Sequence, residues 1–446
     1  MLNSQNIRRI LSSVLVIMLF PLLSYGAMGE STYSFELTPS NTETIQMEYI
    51  FSEPKIERVD EVCHSIEMAG AEKFCQEPGN PILPVKTARI LIPQGRDPVN
   101  IYVLPAQEIV LDGEFTIEYC KDQIPISRPD LMIETQPDWG IYNSDAFFPG
   151  KLYSEVSTQF LRGYKILLIN LYPVQYIPAH GKVLYYPVLR LIVETAPAVS
   201  GSYPATDMQR SRGVSNFQTK PKKELKAPCR YLKRDISRVS RMIDNPSIIN
   251  TYTEPKVRFK YDFSGSSLTG GPYEYVIITR ENLVSTFEIL EIHKASRGLS
   301  TNIVTVEDIY ANYDPNRPDG GEDHQTQIRN FIKDAYTVWE TDYVLLGGDS
   351  DGDPNSALIP HRGVYGKVGA ITDDDIPCDL YYGALDGTWD LDNDGTYGEY
   401  PDDYSTDPNV SVDLLAEVYI GRIACDDPNE ALNQINKIIE YENSVS

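Results

Sequence analysis

From about residue 32 to residue 197 the apolar positions fall in short runs broken by Pro and Gly. Val, Ile, Leu and Tyr fill segments such as Ala88-Arg-Ile-Leu-Ile-Pro93, Val99-Asn-Ile-Tyr-Val-Leu104 and Tyr164-Lys-Ile-Leu-Leu-Ile-Asn170. That is the composition of strands separated by turns. No long stretch in this region sustains a helical period, so the pattern predicts a β-rich, sandwich-like domain. From Tyr273 the pattern changes. Tyr275-Val-Ile-Ile-Thr279, Asn302-Ile-Val-Thr-Val306, Tyr343-Val-Leu-Leu-Gly347 and Glu417-Val-Tyr-Ile-Gly421 read as strands. Between and after them lie helices at residues 283–295 and 327–339. A last helix opens at Asp427-Pro-Asn-Glu430, with Asp426 or Asp427 as its cap and Leu432, Ile435, Ile438 and Ile439 at helical spacing. Alternating strands and helices predict a mainly parallel α/β sheet covered on both faces. Ligands of such sheets sit beyond the carboxyl ends of the strands, which directs attention to the segment leaving the third strand.

The amino-terminal residues follow a different rule. Arg8 and Arg9 precede an apolar run over residues 10–23 and then small residues, the layout of a secretory signal peptide over residues 1–26. The run is too short to span a bilayer, and no second one is long enough, so the mature protein is expected to be exported without a membrane span. The β-rich domain then covers residues 27–197. Residues 198–262 read as a basic, weakly ordered linker or processing segment, with eleven Lys or Arg between Arg210 and Arg241. Residues 263–446 form the α/β domain. Six cysteines in 446 residues do not make a disulfide-built scaffold. Cys63 and Cys75 are spaced to close a small loop in an oxidising compartment.

Charge sharpens the picture. The chain carries 64 acidic and 39 basic side chains, a net charge of −25, which disfavours a nucleic-acid partner. Residues 1–260 are nearly neutral, whereas residues 261–446 hold 36 acidic and 10 basic side chains. Much of that acid lies between the third and fourth strands. Asp390, Asp392 and Asp394 alternate ahead of Gly395, as in the first half of a calcium loop, where alternate carboxylates converge on one hard cation. The carbonyl of Thr396 and the carboxylate of Glu399 are candidate further ligands. Pro401 stands where an EF-hand needs its bidentate Glu, so the loop is not a true EF-hand. Asp349, Asp351 and Asp353 repeat the alternation without its continuation.

A catalytic centre is harder to find. His361 with Cys378 is the one Cys–His pair in suggestive context, but Asp373, Asp374, Asp375 and Asp379 beside the thiol work against a thiolate. No nucleophile elbow, zinc-protease helix or phosphate loop is present.

Several motifs together resemble the gingipain-type cysteine peptidases. They are Tyr275-Val-Ile-Ile-Thr279, Ser296-Arg-Gly-Leu-Ser-Thr-Asn-Ile-Val-Thr-Val-Glu-Asp-Ile309, Tyr343-Val-Leu-Leu-Gly-Gly-Asp349, Asp379-Leu-Tyr-Tyr-Gly383 and Val418-Tyr-Ile-Gly-Arg422. Gly79-Asn-Pro-Ile-Leu-Pro-Val85 is similar to the family's propeptide. The resemblance implies a secreted endopeptidase precursor with an intramolecular propeptide, a caspase-like catalytic domain and a protein or peptide substrate. It assigns Asp379 to a pocket for basic P1 side chains. The family's His and Cys follow the Ile-Gly-Arg strand and its helix, so here they are expected beyond Ser446, leaving the α/β domain incomplete. Ala179-His180-Gly181 lies in the propeptide-like half and is no substitute. The alternative is a secreted calcium-binding adhesion or inhibitory module on a catalytically dead scaffold.

Overall fold

The computed structural model describes residues 32–37, 42–122, 134–198, 233–252, 268–350, 357–368, 371–404 and 411–444. The expected signal peptide, most of the basic linker, Asp351 and Asp353 lie outside the described residues.

The β-rich half runs through β1 (Thr32–Leu37), β2 (Glu43–Ile50), β3 (Lys55–Arg58), β4 (His64–Glu67), β5 (Glu72–Phe74), β6 (Leu83–Leu91), β7 (Arg96–Pro105), β8 (Ile109–Val110) and α1 (Trp139–Tyr142). It continues with β9 (Tyr153–Leu161), β10 (Tyr164–Leu171), β11 (Val174–Ile177), β12 (Lys182–Tyr185) and β13 (Val188–Pro197). Two four-stranded sheets, in the orders β1-β2-β13-β7 and β5-β6-β10-β9, make the sandwich. Strands β2 and β13 alternate as a half-buried pair should: Ile45, Met47 and Tyr49 face inward opposite Val193, Leu191 and Leu189. They share one core with Ala88 and Ile90 of β6 and Leu167 and Ile169 of β10. The expected sandwich is present. The cysteine pairing differs from expectation: Cys75 is bonded to Cys120, with Cα atoms 5.3 Å apart, and Cys63 is free. Closeness in sequence is a poor guide here because Gly79 and Asn80 pair with Cys120 through backbone hydrogen bonds and bring it next to Cys75.

Strand β10 is buried on both faces. Its outer side chains, Tyr164 and Ile166, pack with Leu91 and Leu161 against Val239, Ile243, Ile248 and Ile249. Val239 ends α2 (Lys233–Val239), Ile248 and Ile249 lie in a 3₁₀ turn at Pro246–Thr251, and Ile243 lies in the connection between them. Residues 233–252 are thus a packed layer of the fold. The apolar positions that make it so are masked in the sequence by the Lys and Arg around them.

The α/β half contains β14 (Tyr275–Thr279), α3 (Val284–Ser296), β15 (Thr301–Thr305), α4 (Val306–Asn312), α5 (His324–Val338), β16 (Tyr343–Gly347), the antiparallel hairpin β17 (Arg362–Val368) and β18 (Ile371–Cys378), α6 (Leu380–Gly383), β19 (Tyr419–Ile423) and α7 (Pro428–Ser444). Its sheet is parallel throughout, in the order β15-β14-β16-β19. Val276, Ile278, Val344 and Leu346 face α4 and α5. Ile277 and Leu345 face Phe287 and Leu290 of α3 and Ile435 of α7. Both faces are covered, which is why these strands read as unbroken apolar runs. The helix expected over residues 327–339 starts earlier, at His324, because Asp323 caps it by accepting from the Thr326 N–H at 2.7 Å. Asp427 caps α7 through the N–H groups of Asn429 and Glu430.

Candidate functional site

Three groups of side chains gather around the segments that leave β16 and enter β19. The first is at the carboxyl ends of the strands. Arg422, on β19, donates to both oxygens of Asp379 at 2.8 and 2.7 Å, and its remaining Nη1 reaches the carbonyls of Gly348 and Ile359 at 2.9 and 2.7 Å. A bidentate pair of this kind is geometrically specific. It ties the end of β16, the loop before β17 and the start of α6 to the edge strand. The carboxylate expected to receive a basic substrate side chain is therefore held by an arginine of the same chain. His361 spends its ring nitrogens on the Ser350 carbonyl (3.2 Å) and the Asp375 carboxylate (3.1 Å). Cys378 stands opposite Arg362 in the hairpin register. Side chains alternate along a strand, so His361, one residue before Arg362, is directed away from Cys378. The structure does not join the two as a dyad.

The second group is the Asp-rich loop. Asp390, Asp392 and Asp394 each offer a carboxylate oxygen, all within 4.8 Å of one another. Asn393 and Gly395 take left-handed backbone, φ 64° and 89°, which turns the loop sharply. Asp390 is fully buried and accepts from the N–H groups of Asp394 and Gly395. Burial nevertheless raises its carboxyl above the ordinary range, helped by Asp319 and Asp394. Thr396 donates its N–H to Asp394. The carboxylate of Glu399 is outside the three-residue cluster; its backbone N–H donates to Asp403 at 2.8 Å. Asp403, unrecognised from the sequence, is buried and also accepts from the Leu391 N–H, so it braces the loop from behind.

The third group is buried and was not foreseen. Asp386 follows α6, while Asp413 and Glu417 lie ahead of β19; their carboxylate oxygens also converge within 4.8 Å. Glu417 accepts from the Leu385 N–H at 2.7 Å and, across the two halves, from the Arg162 N–H at 3.3 Å. Asp413 accepts from the Leu415 N–H at 3.0 Å through Oδ1, while its Oδ2 is buried with no hydrogen-bond partner. Lys333 and then the buried Arg329 offset part of the Asp386 charge, while Arg329 Nη2 donates to the carbonyls of Ala384 and Asp386. Burial pushes the Asp386 carboxyl up to about 6. Asp413 and Glu417 are held well above the ordinary range by burial and by the Asp386 charge beside them. Three buried carboxylates with one orphaned oxygen suit a hard divalent cation, which prefers oxygen ligands. A signal existed in the sequence, since Asp413 and Glu417 flank a segment that is otherwise apolar. Their convergence on Asp386 depends on the fold.

Residues 36–217 match the family model Propeptide_C25, and residues 269–446 match that of peptidase family C25. Gingipain R2 from two strains of Porphyromonas gingivalis is 22% identical over 385 residues, covering 83% of this chain and 39% of the relative. The chain thus spans about two-fifths of the length of these curated relatives. Among solved structures, the complex of the Porphyromonas gingivalis RgpB pro- and mature domains is 17% identical, covering 37% of this chain and 84% of that chain, with a TM-score of 0.29. A gingipain K structure on zymogenic latency is 19% identical, covering 38% and 100%, with a TM-score of 0.31. Similarity at these scores carries no argument, and the assignment rests on the sequence matches. In the order of its two halves and in the families each half matches, the chain belongs to the gingipain-type C25 cysteine peptidase precursors, as a propeptide followed by part of a caspase-like peptidase domain.

Proposed function

We propose that this chain is the leading part of an exported cysteine endopeptidase precursor that acts on protein or peptide substrates. The β-rich half is its intramolecular propeptide, and the α/β half is stabilised by calcium. The observation that carries the calcium reading is the orphaned, buried Asp413 Oδ2 within the Asp386–Asp413–Glu417 cluster. Calcium bound there neutralises the carboxylates and ties the segment after α6 to the segment before β19. The loop of Asp390, Asp392 and Asp394, with Thr396 and Glu399 close by in sequence, is the second candidate. The catalytic His and Cys are expected after Ser446, and Asp379 meets a basic P1 side chain only by releasing Arg422.

The test compares the 446-residue chain with the product of the reading frame extended past Ser446, each assayed on Arg and Lys peptides. The extended protein is expected to cleave them and to lose activity when the later cysteine is changed to Ala. Turnover by the 446-residue chain alone refutes the placement of the dyad. A natural stop at Ser446 instead supports the adhesion or inhibitory module. Sequencing the amino terminus of the exported product tests cleavage near residue 26.

A further inference from the structure

Residues 218–268 fall between the two family matches, yet Val239, Ile243, Ile248 and Ile249 within them pack on the β-rich half. Strand β5 covers only the first part of β6, from Leu83 to Val85. Beyond it the free edge of β6 is capped by Asp244 and Asn245. Asn245 imitates a strand, its side chain accepting from Leu91 N–H at 2.8 Å and donating to Leu91 O at 2.9 Å. Asp244 pairs its N–H with Arg89 O and accepts through Oδ2 from Arg89 N–H and Tyr49 OH. Tyr252 OH closes the segment on Ile92 O and Lys165 N–H. By contacts, this stretch belongs to the β-rich half.

The same stretch meets the α/β half at an ionic cluster. The β9–β10 turn places Arg162 and Gly163 at φ 51° and 80°, the signature of a tight hairpin turn whose two central residues are both left-handed. A left-handed arginine is strained, and such strain persists where a function requires it. The Arg162 Nη1 lies 2.9 Å from Asp235 Oδ1 of α2 and 2.8 Å from Asp342 Oδ1, just ahead of β16. Arg238 reaches the other Asp342 oxygen at 3.1 Å, and both guanidinium groups lie over the Tyr419 ring at the start of β19. Arg162, Asp235 and Asp342 are all buried. Leu415, next to the buried carboxylates, packs on the same cluster as Val239 and Ile243.

We propose that residues 233–252 are a clasp that belongs to the propeptide, and that the Arg162–Asp235–Asp342 latch is what holds it to the amino-terminal edge of the α/β sheet. The docking surface formed by Asp342, Glu417, Tyr419 and Leu415 then recognises the propeptide in trans once the chain is cut downstream of the clasp. A cut upstream, in the basic segment before residue 233, instead leaves the clasp attached to the peptidase half and still buried in the propeptide sandwich. This rests on the propeptide reading, but it concerns binding alone, so its outcome is independent of any peptidase activity.

The experiment uses the full chain with a site-specific protease sequence replacing either residues 257–262 or residues 213–219, cut to completion and analysed by size exclusion. After the downstream cut the parent fragments co-elute. Arg162→Met and Asp342→Asn weaken that association by about 100-fold, as expected when one partner of a buried ion pair is removed. After the upstream cut the Arg162→Met fragments still co-elute, which shows that the variant is folded. Separation of the parent fragments after the downstream cut, or undiminished association of both variants, overturns the proposal.

Discussion

Replacing Asp413 with asparagine should change stability in opposite directions with and without calcium. In chelator, the parent holds three buried carboxylates together with no partner for Asp413 Oδ2. Asp386, pushed up to about 6 from 3.8, shows the scale: such a displacement corresponds to on the order of 3 kcal/mol at neutral pH. In the variant, Oδ1 can still accept from Leu415 N–H, and an amide NH₂ replaces the orphaned oxygen beside Asp386 and Glu417. The expected gain in chelator is about 1–3 kcal/mol. With calcium at a thousandfold excess over its dissociation constant the parent gains about 4.1 kcal/mol, while the variant has lost a charged ligand and gains little. The order of stabilities inverts. Urea unfolding of the full chain, in an Asp392→Asn/Asp394→Asn background that silences the exposed loop, reads this directly. An equal loss in both buffers, or an equal response of parent and variant to calcium, refutes the cation site.

Stability in chelator should fall as pH rises from about 5 to 7. Asp386, Asp413 and Glu417 have folded-state pKa values above their unfolded ones, so the native state binds more protons and rising pH favours unfolding. Thermal melts across that range check this, and calcium is expected to flatten the curve. Arg362→Met removes a guanidinium buried between Tyr381 and Tyr397 and bidentate to Asp323. It should cost about 3 kcal/mol in urea unfolding, with α5 weakened at its cap. Asn245→Ala leaves Leu91 N–H and C=O without partners and should cost about 3 kcal/mol, seen as faster amide exchange at Leu91. Retained protection there would contradict the strand-like role of Asn245.

Much of the fold was legible because it depends on local pattern. The run from Tyr275 to Thr279 is a strand as read, and the apolar positions of α5 and α7 face the core. Boundaries moved where side-chain chemistry intervened. The apolar run that predicts the second strand ends at Val306, yet Thr305 caps α4 through the Asp308 N–H, so the helix begins there. The sequence pattern starts the last strand at Glu417. Its backbone N–H bonds Gly383 O and its carboxylate joins the buried cluster, so β19 starts at Tyr419. The site was less legible. Alternating Asp residues announce a turn and a cation loop by spacing alone, whereas Asp386, Asp413 and Glu417 are far apart in sequence. Asp379 and Arg422 both stood out as motif residues; that they hold each other could be seen only once the sheet was built.

The strand order also sets a timetable for a chain made from one end. β2, near residue 45, pairs with β13, near residue 190, so the first sheet of the sandwich cannot close until almost 200 residues have been synthesised. The edge of β6 stays open longer still, until Asp244 and Asn245 arrive. Segments with such long sequence separation close slowly and expose apolar edges while they wait. The α/β sheet comes last, and Asp342 and Glu417 then meet a finished surface carrying Arg162. In vectorial synthesis the β-rich half is the template already in place when the acidic half folds.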